Sequence, residues 1–256
     1  MRGWTERGLR WLVLSSVMTM GCTPHLFSPP SRLAITEGPA NLEEGKTEVR
    51  GHFNVAGEVF GVEVEGVGAS VRHGMTSEIE VVGSINYASL SGQREMHDGK
   101  GYSASDGPPT YQNDEDSWSL FTARAGGKWA PEKLGGHLSL SSGLGGGYSD
   151  AGGFVSTDLG LSVGYNNRYV VPFLAMSGYV SVPIGAIAHD ISDDGAPADM
   201  QKSQLTYGGQ GLLGLQITPD ESFLLLLAGA CTVLFDPSDQ SRKLILGFVF
   251  DVGYRF

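Results

Sequence analysis

The sequence predicts an all-β fold: a transmembrane antiparallel up-and-down barrel of about ten strands, with eight as the alternative count. Three observations predict it. From about residue 46 onward, stretches of 9–14 residues alternate apolar and polar side chains, the period of a strand whose two faces meet different surroundings. Breaks rich in Gly, Pro, Asn, Asp and Ser separate these stretches, and short breaks face long ones, as in barrels that cross a membrane. No run in the 256 residues reaches the 18 or more apolar positions of a spanning helix, so a bilayer would be crossed by strands. The mean hydropathy of −0.06 is then an average of a lipid-facing stripe, a polar interior and polar loops.

The chain opens with Arg2, Arg7 and Arg10 against one acid, Glu6, followed by an apolar stretch from Trp11 to Met20 broken only by Ser15, Ser16 and Thr19. A positive segment, a short apolar core and a small residue at the boundary are the parts of a secretory signal. The stretch is not amphipathic, and Pro24, Pro29 and Pro30 follow at once, which argues against a buried helix. Met18-Thr19-Met20-Gly21-Cys22 resembles the lipobox of bacterial lipoproteins, with Thr19 where that family prefers Leu. The resemblance implies that 1–21 is a signal peptide and that Cys22 becomes the acylated first residue, a lipid anchor. With Thr23 rather than Asp after the Cys, it also implies the outer membrane. Cys231 is the one other thiol, so no intramolecular disulfide is expected. Residues 22–45, rich in Pro and polar residues, read as a lipidated tether, and 46–256 as the barrel.

Ten strands are predicted at about 47–56, 59–73, 77–90, 117–130, 135–148, 154–166, 169–182, 205–218, 222–235 and 243–256. In the third, Ile79, Val81, Gly83, Ile85 and Tyr87 oppose Glu80, Ser84 and Asn86. In the fourth, Phe121, Ala123, Ala125 and Trp129 oppose Thr122, Arg124 and Lys128. In the sixth, Leu159, Leu161, Val163 and Tyr165 oppose Asp158, Gly160 and Ser162. Tight turns fall near 74–76, 131–134, 166–168 and 219–221, while long loops fall at 91–116 and 184–204 and a medium one at 236–242. An even strand count puts both chain ends on the short-turn side. Two places resist the pattern. In the second strand Glu63 and Glu65 conflict with Val67 and Val71, which a bulge at Gly66 would reconcile. Pro172 falls inside the seventh strand, where a closed barrel has no free edge to shelter it. The run Phe223–Phe235 is apolar on both faces, leaving its register open.

In the last strand Phe248, Phe250, Val252, Tyr254 and Phe256 occupy every second position. This resembles the C-terminal signature by which bacterial outer-membrane β-barrels are recognised for assembly, and it implies the barrel-assembly machinery and the lipid bilayer as partners. Tyr87, Trp118, Trp129, Tyr165, Tyr169, Tyr179, Tyr207, Tyr254 and Phe256 are candidates for interfacial girdles. By parity Glu48, Arg50, His52, Arg72, Glu80, Arg124, Lys128, Asp158, Gln210, Asp251 and Arg255 point inward. Side chains largely fill a barrel this narrow, and buried charges need partners. The reading is therefore a salt-bridged lumen, with Arg72, Glu80, Arg124, Lys128, Asp158 and Asp251 as its network, rather than an open pore.

The 17 basic and 28 acidic residues argue against nucleic acid, whose phosphates require Lys and Arg surfaces. Gly209, Gly211 and Gly214 match G-x-G-x-x-G but lie in a predicted strand with no helix after it, so a dinucleotide site is not expected. The glycines at 143, 145, 146 and 147 read as relief of crowding in a curved wall. Asp190, Asp193 and Asp194 beside His189 are weak metal candidates that match no calcium-loop spacing. The loop 91–116 sets Glu95, Asp98, Asp106, Asp114, Glu115 and Asp116 against Arg94 and Lys100. No cofactor is expected, and no nucleophile can be joined to a base and an orienting acid. The functional expectation is a structural or interaction role, with acidic loops facing outside and any surface ligand or protein undefined. A narrow passive channel is the alternative, and an outer-membrane lipid-modifying hydrolase the next.

Overall fold

A computed structural model describes residues 31–33, 35–58, 63–92, 116–149, 152–184, 205–220, 222–236 and 241–256. The strands are β1 (Thr47–Glu58), β2 (Glu63–Gly74), β3 (Ile79–Gly92), β4 (Asp116–Trp129), β5 (Leu138–Ser149), β6 (Gly152–Gly164), β7 (Val170–Ile184), β8 (Thr206–Ile217), β9 (Phe223–Asp236) and β10 (Ser241–Arg255). Each pairs antiparallel with the next, and β1 closes on β10 from Glu48–Arg255 to Glu58–Ile245. The closed ten-strand barrel leaves no edge, so every strand finds ladder partners on both sides, which is what a sheet surrounded by hydrocarbon requires.

The four tight connections share one end of the barrel, hereafter the turn end; the opposite rim is the loop end. At the turn end Glu132–Leu134 form a single 3₁₀ turn. Thr47 and Phe256 lie there too, exchanging backbone hydrogen bonds of 2.9 Å in both directions.

The period-two pattern sorts the side chains as expected. Phe53, Ile85, Phe121, Leu159, Leu213 and Phe248 stand on the outside, with Leu159 and Leu213 exposed by 66% and 69%. Their partners on the opposite face are buried. The two irregular places resolve differently. β2 carries no bulge, since its ladder to β3 runs unbroken from Glu63–Ser91 to Gly74–Glu80. Glu65 instead shares the outer face with Val67 and Val71. It sits two residues from the loop-end start of the strand, where a carboxylate on the outer face is tolerated best. Pro172 also points outward, and it accepts a hydrogen bond of 3.0 Å from Tyr165 N–H. Tyr165 lies just beyond Gly164–Phe173, the last pair of the β6–β7 ladder. The missing proline N–H therefore costs one bond at the end of a ladder, not one in its middle.

Pairing with β8 and β10 fixes the register that β9 alone leaves open. Leu224, Leu226 and Ala228 face inward, where they join Phe173, Ala175, Leu212 and Val249 in an apolar cluster. One wall of the bore is thus hydrophobic, while the charged residues lie on β1 to β4, β6 and β10. Tyr179, a girdle candidate by type, is buried, because it shares the inward parity of Phe173 and Ala175 in β7. The Trp118 side chain lies outside the described residues.

The largest departure concerns the segment before β1. Residues 31–33 and 35–42, expected to be part of a tether, lie inside the barrel, with Ser31, Arg32, Ile35, Thr36, Glu37 and Leu42 all buried. Thr47 is at the turn end as strand parity requires, but the chain preceding it turns back into the bore.

Candidate functional site: a filled bore

Two ionic clusters hold the inserted segment. At the turn end, Arg72 clamps Glu80 through two parallel bonds of 2.7 Å and reaches Glu48 at 2.8 Å. Arg50 meets Glu48 at 2.5 Å and Asp251 at 3.4 Å. Arg255 closes the other Glu48 oxygen at 2.8 Å. Glu48, Glu80 and Asp251 are completely buried, so each carboxylate depends on these cations to offset its desolvation. Lys128 lies 3.4 Å from Glu80 and donates to the carbonyls of Gly38 and Ala40 at 3.0 and 2.6 Å. Glu80 also accepts from Leu42 N–H at 3.1 Å, and Arg50 donates to the Thr36 carbonyl.

The second cluster lies halfway up. Arg124 forms a bidentate pair with Asp158 at 2.6 and 2.7 Å, the planar geometry that suits guanidinium to carboxylate. From the inserted segment, Arg32 pairs with Glu37 and approaches Asp158 at 3.5 Å. Glu37 in turn lies 3.9 Å from Arg124. Strand and insert alternate in charge, each cation facing a carboxylate of the other. Gln210 donates to the Arg32 carbonyl at 3.0 Å, and Ser31 and Ser156 bond each other at 2.6 and 2.8 Å. Higher still, His52, Asn86 and Thr122 form a chain of 2.6 and 3.0 Å contacts.

The apolar side of the insert meets apolar wall. Ile35 packs into the cluster of Phe173, Leu212, Leu224 and Leu226, and Leu33 against Ala88, Leu120 and Phe154. A fully buried Ile contributes on the order of 1.5–3 kcal/mol, and the half-buried Leu33 less. Space for the insert comes from β5, whose inward residues from 139 to 147 are Ser139, Ser141, Gly143, Gly145 and Gly147. A Cβ at Gly143 would collide with the Arg124 guanidinium, and one at Gly145 with both the Ala123 carbonyl and Ser31. By contrast Gly211 faces outward with open space around it.

All six residues expected in the lumen network are buried in the bore, Arg72, Glu80, Lys128 and Asp251 at the turn end and Arg124 with Asp158 above them. Glu48, Arg50, His52 and Gln210 are buried with them, while Arg255 is partly exposed at the turn end. The sequence reading missed Ser31, Arg32, Thr36 and Glu37. Phe248, Phe250, Val252, Tyr254 and Phe256 line the outer face of β10. Cys22, Asp190, Asp193 and Asp194 lie outside the described residues, as does most of each long loop.

A closed sheet with an apolar exterior and an ion-paired interior defines a membrane-spanning β-barrel whose bore holds residues of the segment before β1. Neither a known protein family nor a curated protein matches the sequence. Among solved structures, the chain is similar to the translocator domain of the autotransporter NalP from Neisseria meningitidis (12% identity, 98% of this chain and 95% of that one, TM-score 0.45). It is also similar to Ail, the attachment invasion locus protein of Yersinia pestis (14% identity, 83% and 99%, TM-score 0.31). A third is the outer membrane protein OprG from Pseudomonas aeruginosa (11% identity, 86% and 99%, TM-score 0.33). These likenesses concern the barrel fold and carry nothing about activity.

Proposed function

We propose that this protein is a sealed outer-membrane barrel lipoprotein, anchored through Cys22 as well as through its strands, with a structural or interaction role. Its acidic segments 91–116 and 184–204 face the cell exterior and meet ions, surface polymers or other proteins. The observation that carries the sealed state is the capture of the Gly38 and Ala40 carbonyls by Lys128, within a bore where Arg50, Glu80, Arg124 and Asp158 also bond the insert. A passive channel needs a continuous water path, and an insert held by ion pairs at Arg32 and Glu37 and by hydrogen bonds to its backbone opposes one. The lipid anchor is supported by the Met18–Cys22 resemblance, and the outer membrane by that resemblance together with the aromatic alternation of β10. Incorporation into planar bilayers tests the reading. The intact protein should give a flat current trace, whereas reproducible single-channel steps would overturn the sealed state and favour a narrow channel.

A further inference from the structure

The inserted segment has a direction. Leu42 is bonded to Glu80, the second residue of β3 from the turn end. Gly38 and Ala40 sit at Lys128, one residue from the turn end of β4. Glu37 reaches Arg124, and Arg32 reaches Asp158 and Gln210, near the middle of their strands. Ser31 bonds Ser156, the fifth residue of β6 from the loop end, and Leu33 packs on Phe154, the third. Read from 42 back to 31, the chain climbs from the turn end into the loop-end half of the bore.

We infer that residues 31–42 thread the barrel, so that the chain preceding Ser31 leaves through the loop end, opposite to Thr47 and Phe256. For Cys22 this rests on the acylation proposed above: its acyl chains then enter the lipid leaflet on the loop side. The exit itself does not depend on acylation.

Chain length permits this. Cys22 lies nine residue steps before Ser31, a reach of about 30 Å when extended. From Ser156 to the loop-end start of β6 is four residues, about 13 Å along the strand. About 17 Å then remains to cross the rim and reach the membrane interface. A return to the turn end would instead lay a second chain beside residues 31–42. The bore is already filled there by the two ionic clusters and the apolar cluster around Ile35.

Labelling intact cells tests the exit. In a Cys22→Ser, Cys231→Ser background, Ser28→Cys is compared with a reporter cysteine in the 91–116 loop and another at Asn167 in a turn. A membrane-impermeant maleimide should label Ser28→Cys together with the loop reporter and not with the turn reporter. Labelling that follows the turn reporter would overturn the inference. A short epitope inserted after Ser28 in the otherwise native chain gives a second readout with the same two outcomes, scored in protein whose gel mobility changes on heating. Acylation is followed separately, by incorporation of an alkyne fatty acid that Cys22→Ser abolishes. Failure there removes the anchor and leaves the exit to be decided by the labels.

Discussion

Lys128 Nζ lies 2.6 Å from the carbonyl oxygen of Ala40, 88 residues earlier in the chain. The ammonium ties a barrel strand to the inserted segment, while Glu80 at 3.4 Å supplies the opposite charge. Replacing Lys128 with Met keeps most of the side-chain volume and removes the donor. Buried acceptors left without a partner cost about 1–3 kcal/mol. We expect Lys128→Met to lower unfolding stability by that amount, measured by urea titration in detergent micelles.

Arg124 and Asp158 should be strongly coupled. Removing one member of a buried pair costs about 3–5 kcal/mol because the other charge is left buried. Arg124→Met or Asp158→Leu alone should each destabilise on that scale. The double variant should lose clearly less than the two single losses together, since no isolated charge remains. Additive losses in the same titration would mean that the pair is not the working unit.

The small inward face of β5 should tolerate nothing larger. Gly145→Val would drive its side chain into Ser31 and the Ala123 carbonyl, and overpacking of this kind costs about 1–3 kcal/mol. Gly211→Ala, whose added methyl meets open space, should be close to neutral. Comparison of the fraction of heat-modifiable, folded protein in the two variants checks this.

The outer face makes a separate claim about the membrane. Leu159 stands near the middle of β6 and is 66% exposed, so Leu159→Arg should cost about 2–4 kcal/mol in a bilayer. Removing the charge of Glu65, next to the loop end, should change stability by no more than about 1 kcal/mol. Equal tolerance at the two positions in reconstituted vesicles would contradict a lipid-facing exterior.

Much of this barrel is legible in the sequence because its physics is local. A strand between lipid and a polar bore must alternate, so parity alone brings Glu80, Arg124, Lys128 and Asp158 to one face. Segment 31–42 obeys no such period. Its Pro and polar residues resemble a free linker, and its partners are scattered from 14 to 178 residues away in sequence. One signal did point to it. A narrow barrel leaves little empty volume, yet Ser139, Ser141, Gly143, Gly145 and Gly147 give one strand an inward face without bulk. Something else had to fill that space. Tyr179 failed for the opposite reason, since an aromatic near a strand end was assigned by type where parity already placed it inside. The apolar inward side of β9 was illegible because Ile35, which it packs against, arrives from outside the strand pattern.

Occupancy of the bore by residues 31–42 is tested most directly by a cross-link. Ser31 and Ser156 have hydroxyls 2.6 Å apart, 125 residues apart in sequence, so cysteines at both positions would be neighbours. In a Cys22→Ser, Cys231→Ser background, the Ser31→Cys, Ser156→Cys protein should lose both free thiols on mild oxidation of the folded barrel, as counted by maleimide mass-tagging after denaturation. A Ser31→Cys, Ser119→Cys control, whose second thiol lies on the outer face, should keep both. Two free thiols in the first protein after oxidation would contradict a segment held inside the barrel.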